Sequence, residues 1–377
     1  MARLPALAVA CAMAGSLGGC AGTGPPHVVQ VGRAHCGQGW GRPHAGTRAV
    51  LVHNGDSAAV DVTLTDPSSG AVFAELEGAG PGTTRPMRVT LGGGTYAVRC
   101  RPEGADAVTG PVVRVPGPPG GARGVRPITR ADLDPAVRAY RAHVARGLAV
   151  LRKRTDALRA AVRSGDLDAA RRNWPPAHQA YAWLGAAYGT FGDLGDVIDG
   201  RPAGLPGGVH DRGFRGFRRV ERGLWRGEPA TSLRGPADRL AADVRTLQRD
   251  FPRTQTDPDD LGLRAHEILE DALRFELTGT SDQGSGTSLG TVAADLDGTR
   301  AVLGALRPLL TGRLPGLSEI DARLDRTRRL LRAQHRHGRW TPLDRLATLD
   351  RERINGAVGD LVERLSDVAA VATVRRP

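Results

Sequence analysis

The segment from residue 134 to residue 162, DPAVRAYRAHVARGLAVLRKRTDALRAAV, indicates the fold of most of the chain. Its apolar residues recur every three or four positions, the period of an α-helix with one buried face. They are Val137, Tyr140, Val144, Leu148, Leu151, Leu158 and Val162. Asp134 and Pro135 are residue types that favour the N-cap and first turn of a helix. We therefore expect a long amphipathic helix with Asp134 as its N-cap.

Similar apolar stripes follow along the chain. One runs from Leu167 to Leu184 and contains Pro175 and Pro176, which should kink or restart that helix. The others cover residues 240–247, 261–277, 289–310, 320–331 and 343–374. Seven or eight helices joined by short loops predict an all-α bundle over residues 128–377.

The sequence before residue 117 has a different texture. Short alternating runs such as Val60–Leu64 and Met87–Leu91 are separated by Gly and Pro, which is typical of strands and turns. Residues 27–116 therefore predict a small β-sandwich, and residues 117–127 are rich enough in Pro and Gly to be a linker. The expected fold class is α+β multidomain, a β-sandwich followed by a helical bundle.

The first twenty residues have the pattern of a bacterial lipoprotein signal. Arg3 provides a basic start, residues 4–13 form an apolar core too short to span a bilayer, and Leu17-Gly18-Gly19-Cys20 ends the segment. We expect residues 1–20 to direct export, with lipid attached to Cys20. The rest of the chain would then be anchored to the outer face of the cytoplasmic membrane.

Export fits the remaining cysteines, because Cys36 and Cys100 can form a disulfide in an oxidising compartment. They could instead be ligands of copper, together with other residues of the β-domain that copper sites use, namely His35, His44, His53 and Met87. The spacing lacks a tight Cys-to-His-to-Met loop near the last strand. This favours a disulfide and a structural or partner-binding sandwich.

The charge of the chain does not indicate a nucleic-acid partner. The net charge is +12 and the sequence pI is near 10.8, but aromatic residues are only 4% and the arginines are interleaved with Asp and Glu. Together with the export signal, this pattern excludes nucleic acid. An anionic surface polymer or membrane face remains a possible partner.

Candidate metal ligands are concentrated in the helical region. In GFRRVE, Glu221 follows Arg218 by three positions, so a helix would place both on one face. The other candidates are Asp193, His178, His266, Glu267 and Glu270. Carboxylates and His from several helices can form an iron site. The same residues can equally be interior hydrogen-bonding groups, turn residues or surface ion pairs.

A zinc-protease site is excluded at His266 and Glu267, because that motif would need His at residue 270. The chain also lacks a paired general base with a metal-held water. We therefore do not expect an enzyme.

Four segments of the helical region resemble the imelysin-like domain of EfeO-type proteins, which are extracytoplasmic components of bacterial iron-uptake systems. They are AYGTFGDLGDVIDGRPAGLPGGVHD (187–211), GFRRVERGLWRGE (216–228), TDPDDLGLRAHEILEDALRFELTG (256–279) and TSDQGSGTSL (280–289). Residues 74–100 resemble, more weakly, the cupredoxin-like module that precedes this domain. The resemblance implies a membrane-tethered protein of an EfeUOB-type system that captures iron, with an iron permease and a haem peroxidase as partners.

Three positions depart from the family pattern. Ala182 and Gly195 stand where the family has Glu and Asp, and Arg218 stands where it has the His of His-x-x-Glu. Each change removes a potential ligand, so the metal site is expected to be weakened or lost. Arg218 could neutralise Glu221 or bind an anion. The alternative function is therefore a non-transporting relative that binds an anionic ligand or polymer, or scaffolds a membrane partner.

Overall fold

The computed structural model describes residues 28–121, 124–185 and 188–374, with only the backbone of residues 188–190. Over these residues the chain forms two compact units, and the boundary lies between Val125 and Arg126. The first unit is built from β-strands and the second from helices. The expected combination of a β-domain and a helical bundle is confirmed. The signal segment, with Cys20, lies outside the described residues.

The first unit contains two sheets. One has the order β1 (Val28–Val31), β2 (Gly46–Asn54) and β5 (Thr84–Leu91), in which β1 and β2 are parallel. The other has the order β4 (Val72–Ala79), β3 (Val60–Thr65), β6 (Gly94–Pro102) and β7 (Val108–Thr109), and β8 (Val113–Val115) also pairs with β6. Buried and partly exposed residues alternate along β1 and the end of β2, as expected for strands with one face in a core.

Side chains from both sheets form one apolar core. Val52 and Val89 come from the first sheet, and Val62 and Leu64 come from the second. Each is at most 1% exposed. The alternation of apolar and polar residues therefore predicted the strands at Val60–Leu64 and Met87–Leu91 correctly.

Cys36 and Cys100 form a disulfide with a Cα–Cα distance of 5.9 Å. Met87 is 3% exposed within the apolar core, and Nδ1 of His53 lies 3.0 Å from Oγ1 of Thr84. His35 and His44 are exposed. Cys36, Cys100 and Met87 therefore have structural roles, because the two thiols are bonded to each other and Met87 is in the core.

The second unit contains nine α-helices among the described residues. They are α1 (Arg130–Ser164), α2 (Leu167–Ala182), α3 (Tyr188–Ile198), α4 (Gly216–Trp225), α5 (Ala230–Asp250), α6 (Asp260–Asp271), α7 (Ser288–Leu310), α8 (Leu317–Ala333) and α9 (Thr348–Ala372). A π-helical turn, Ala272–Glu276, follows α6 directly. A short hairpin, β9 (His335–Arg336) and β10 (Arg339–Trp340), lies between α8 and α9.

The apolar stripe of α1 is buried as predicted, but its predicted start is wrong. The N-cap is Thr129, whose hydroxyl accepts a hydrogen bond from the backbone N–H of Asp132 while the Asp132 carboxylate accepts one from the backbone N–H of Thr129. This reciprocal capping box satisfies two N–H groups at once. Asp134 can satisfy no more than one, so the helix begins five residues earlier than Pro135.

Of the expected kink or restart in α2, the restart is not found. The helix runs through Pro175 and Pro176 to Ala182. Its burial explains this result, because Trp174 and Ala177 on either side of the prolines are fully buried in the core. Tertiary packing of this face outweighs the loss of two backbone hydrogen bonds.

No helix in the described part of the chain is long and apolar enough to cross a membrane.

Candidate functional site

Two short helices, α3 and α4, were not predicted from the apolar periodicity. They approach each other closely at Gly216. A Cβ atom at this residue would lie 2.3 Å from the carbonyl oxygens of Val197 and Ile198, and Gly216 has a φ of 79°. Only glycine allows both this approach and this conformation. The end of α3 therefore lies against the start of α4, next to Arg218.

Arg218 is buried among three carboxylates and is itself only 3% exposed. Its Nη2 donates to Oε1 of Glu276 at 2.6 Å, and its Nη1 donates to Oε2 of Glu221 at 3.4 Å. Its Nε lies 3.2 Å from Oδ1 of Asp199 in an ion pair without hydrogen-bond geometry. We call these four residues the Arg218 cluster. A single guanidinium holds together side chains from α4, the residue after α3 and the π-helical turn.

His178 connects the Arg218 cluster to α7. Its Nε2 lies 2.9 Å from Oδ1 of Asp199, and its Nδ1 lies 3.2 Å from Oγ1 of Thr291. The imidazole stacks on Trp174 at 4.8 Å between ring centroids, and the indole N–H of Trp174 donates to the carbonyl of Phe217. Both ring nitrogens of this 1% exposed histidine therefore have protein partners.

Burial determines the charge of Glu221. This residue is fully buried, and the loss of solvation raises its pKa from 4.5 to about 8, although Arg218 opposes the shift. The backbone N–H of Ser285 donates to its Oε1 at 3.2 Å. Glu221 is therefore mostly protonated at neutral pH, in agreement with its long 3.4 Å contact to Arg218.

Asp199, within the Arg218 cluster, and Asp295, close to it, differ in their charge. Burial raises the pKa of Asp199, but the attraction of Arg218 and His178 outweighs it, so its pKa is lowered and it is ionised. Asp295 on α7 is 6% exposed, and burial, together with the charges of Glu276 and Asp199, raises its pKa well above the ordinary value. The charge of Arg218 is thus balanced mainly by Asp199 and by Glu276, its closest partner.

The Arg218 cluster does not fit an iron ion. Iron needs about four to six donors and a site without a neighbouring fixed cation. The carboxylates here are directed at the guanidinium, which occupies the space between them. In the described part of the chain, no group of three or more His, Cys, Asp or Glu residues is arranged to hold a metal ion.

The other candidate ligands lie apart from a common centre. Asp193 is exposed on α3. On α6, Glu267 pairs with Arg264, and Nδ1 of His266 lies 3.7 Å from Oε2 of the exposed Glu270. These α6 contacts follow one helix face, as the spacing indicated, and are typical of surface ion pairs.

The structure also describes Ala182 and Gly195, the two positions at which the sequence was expected to lack ligands. Ala182 is 2% exposed at the end of α2. The backbone carbonyl of Gly195 accepts a hydrogen bond at 3.2 Å from the hydroxyl of Tyr181, the residue before Ala182. Tyr181 therefore connects the end of α2 to the backbone of Gly195, and neither Ala182 nor Gly195 has a side-chain atom that can bind a metal.

The family model for imelysin (Peptidase_M75) matches residues 136–370. The chain belongs to the imelysin family. The resemblance of the helical region is thereby confirmed, and the Arg218 cluster lies within the imelysin domain.

Curated relatives extend the similarity beyond the imelysin domain. The chain is 26% identical to the "Iron uptake system component EfeO" of Yersinia pseudotuberculosis, over 87% of this chain and 86% of the relative. It is 27% identical to the protein of that name in Yersinia pestis and 25% identical to that in Escherichia coli O157:H7, with the same coverage. The similarity to EfeO-type proteins therefore includes part of the β-unit.

Sequence reasoning predicted a contact of Arg218 with Glu221 but missed Glu276, Asp295 and Thr291. The sequence does contain an indication for Glu276 and Asp295, because both occur at positions where the helical pattern places buried residues. Glu276 lies four residues after the buried Ala272, and Asp295 lies between the buried Val292 and Leu296 of α7. An ionisable residue within the apolar stripe of a helix is expected to be buried. It therefore indicates a buried polar partner, because an unpaired buried charge is costly.

Proposed function

We propose that this imelysin-family protein is an extracytoplasmic component of a bacterial iron-uptake system of the EfeUOB type. The supporting observation is the match to relatives named as iron-uptake components, which covers 87% of this chain and 86% of the relative. A match of this length includes both units, so the proposal does not depend on the helical fold alone.

Iron is the proposed cargo, and its partners in transfer are proposed to be an iron permease and a haem peroxidase. The β-unit is proposed to be cupredoxin-like in origin but structural in this chain, because its two thiols form a disulfide. The role is proposed to be binding and delivery rather than catalysis, because the relatives are named as components of an iron-uptake system.

The Arg218 cluster is proposed to be a degenerate iron site in which the guanidinium replaces the ion. Arg218 supplies a positive charge to Glu276, Asp199 and Glu221 at distances between 2.6 and 3.4 Å. It therefore stabilises the remaining acids without metal. Of the predicted ligands, Glu221 and His178 belong to this buried region, whereas Asp193, His266, Glu267 and Glu270 would have to bind iron at another place.

The alternative is a relative that does not transport iron and instead scaffolds a membrane partner. The loss of metal donors at Ala182, Gly195 and Arg218 supports it. Binding of an anionic ligand by Arg218 has less support, because this 3% exposed guanidinium already faces three carboxyl groups.

Iron uptake by cells separates the two functions. Deletion of the gene should reduce accumulation of radioactive iron in iron-limited medium, and a plasmid copy should restore it. Unchanged accumulation in the deletion strain would contradict the uptake role and favour the scaffold.

Calorimetric titration of the intact protein with iron tests the degenerate site. Weak binding is expected, and the triple change Ala182→Glu, Gly195→Asp and Arg218→His should strengthen it at least about tenfold, or about 1.4 kcal/mol. Thermal unfolding of the variant controls for its folding. Tight binding by the unmodified protein that is lost on Glu221→Ala would show that Glu221 still binds iron.

A further inference from the structure

A cavity of about 540 Å³ lies in the helical unit, lined by residues other than those of the Arg218 cluster. Its walls come from α1, α2, α7, α8 and the β9–β10 hairpin. Its volume is within the range of small-molecule sites, roughly 300–1,000 Å³. Its chemistry is separate from the iron chemistry of the proposed function.

Small residues on facing helices create the space. Ala180 on α2 and Ala293 and Ala294 on α7 line the cavity without filling it. Gly290 brings Trp340 against α7, because a Cβ atom there would lie 2.5 Å from the indole nitrogen of Trp340 and 2.4 Å from the amide nitrogen of Gln179. The tryptophan therefore lies at the edge of the cavity, where a larger residue at 290 would displace it.

Two indole rings supply the aromatic surface. Trp183, the residue after α2, packs on His143 with 3.7 Å between ring centroids. Trp340 packs on His335, which also lines the cavity, with 4.5 Å between centroids. Both tryptophans are only partly buried, so each keeps surface available to a ligand. Large flat rings of this kind contribute strongly to binding of planar molecules.

The charged residues at the cavity are mainly cationic. Arg154, Arg328 and Arg332 line it against one carboxylate, that of Asp297. Arg328 is paired with Asp297, with a 3.0 Å hydrogen bond from Nη2 to Oδ2. Arg154 and Arg332 are exposed, and within the described residues neither forms an ion pair. Two guanidinium groups therefore remain for a ligand, each able to hold a carboxylate by paired hydrogen bonds.

We propose that this cavity binds a small planar aromatic anion. The ring lies against Trp183 and Trp340, and its acidic group is held by Arg154 and Arg332. A cation is disfavoured by the excess of arginine, and a neutral aromatic molecule would gain no charge-assisted hydrogen bond from the two guanidinium groups.

Calorimetric titration of the intact protein with 2-naphthoate tests the proposal. We expect saturable binding of one molecule per chain, and binding of the uncharged 2-naphthalenemethanol should be at least about tenfold weaker. No saturable binding of 2-naphthoate at millimolar concentration, or equal binding of the two probes, would overturn it.

Matched variants locate the binding. The double change Arg154→Ala and Arg332→Ala should weaken 2-naphthoate binding at least about tenfold. The control double change, Arg152→Ala and Arg336→Ala, removes two exposed charges from neighbouring positions that do not line the cavity and should have less than about a twofold effect. Equal losses in both would show nonspecific attraction and overturn the assignment.

A filling variant provides the second test. Ala294→Phe should abolish binding of 2-naphthoate by occupying the space, while thermal unfolding confirms that the protein is folded. Unchanged affinity in folded Ala294→Phe would place the probe elsewhere and contradict the proposal.

Discussion

Arg218 places a fixed positive charge among three buried acids. The guanidinium is always protonated, and the carboxylates raise its pKa further although burial opposes them. Its donors form a planar fork that can serve several acids at once. Under the proposed function, an arginine at this position replaces the metal cation, and the buried acids remain in place.

Arg218→Ala should be strongly destabilising. Removal of one partner from a buried ion cluster leaves uncompensated charge and costs about 3–5 kcal/mol of the free energy of unfolding. The measurement is urea unfolding of the intact chain, followed by far-ultraviolet circular dichroism, which reports mainly on the helical unit.

Arg219→Ala is the matched control for this prediction. Arg219 is the next residue of α4 and pairs with Glu228 at 2.8 Å, but its side chain is 22% exposed. A more exposed ion pair contributes about 1 kcal/mol or less. Similar losses for Arg218→Ala and Arg219→Ala would contradict a buried charge network around Arg218.

Glu221 should make stability depend on pH. Its folded pKa, about 8, lies above the ordinary value of 4.5, so the folded state holds an extra proton between these values. The contribution of this proton to the free energy of unfolding is fully present below pH 4.5, and it is lost as the pH rises through 8. Denaturant unfolding across this range should show a decline in stability that Glu221→Gln reduces.

Glu228→Gln serves as the control for the pH series, because Glu228 is a partly exposed partner of Arg219. The pH dependence of Glu228→Gln should follow that of the unmodified protein. An unchanged decline in Glu221→Gln would show that Glu221 is ionised in the folded state.

At the scale of elements, the sequence predicted the long helices because each carries its own apolar stripe. The stripes of α1, α2, α5 and α7 are buried as expected. α3 has only eleven residues and a break at Gly192. α4 has ten residues, and its buried apolar residues Phe217, Val220 and Leu224 follow helical spacing but form only a short stripe. Their packing depends on the contact at Gly216, which no local pattern describes.

The Arg218 cluster was only partly predictable for the same reason. The i, i+3 spacing of Arg218 and Glu221 is local and was visible in the sequence. The contact with Glu276 joins residues 58 positions apart, and that of His178 with Thr291 joins residues 113 apart. Such contacts arise from the packing of α2, α4, α7 and the π-helical turn.

For the β-unit, we predict how much the disulfide contributes to stability. Cys36 follows β1 and Cys100 lies in β6, so the bond closes a long loop with a sequence separation of 64. Loop closure of this length should stabilise the unit by about 2–5 kcal/mol through the unfolded state. The double change Cys36→Ala and Cys100→Ala should lower its free energy of unfolding by that amount.

Mass spectrometry of the non-reduced, exported protein checks the bond directly. A cross-linked peptide pair containing Cys36 and Cys100 is expected. Two free thiols would contradict the bond and return these cysteines to the set of candidate metal ligands.

At the scale of the whole molecule, the excess of arginine has little effect on the fold. Many arginines pair with acids at the surface, as Arg307 does with Asp321 and Arg130 with Asp257 and Asp259. Exposed pairs of this kind contribute little to stability. The net charge of +12 instead predicts an attraction to anionic membrane surfaces, which salt would screen.

Electrostatic attraction to the membrane must be distinguished from attachment by a lipid anchor, and substitution of Cys20 makes this distinction. We predict that acyl chains on Cys20 hold the protein at the membrane, because burial of their methylene groups is not weakened by salt. The unmodified protein should therefore stay in the membrane fraction at about 1 M salt, where charge attraction reaches only about 3 Å. Cys20→Ser should be released into the soluble or secreted fraction, whereas Cys11→Ser, a change within the same signal segment, should leave the protein bound. Retention of Cys20→Ser at high salt would contradict the lipid anchor.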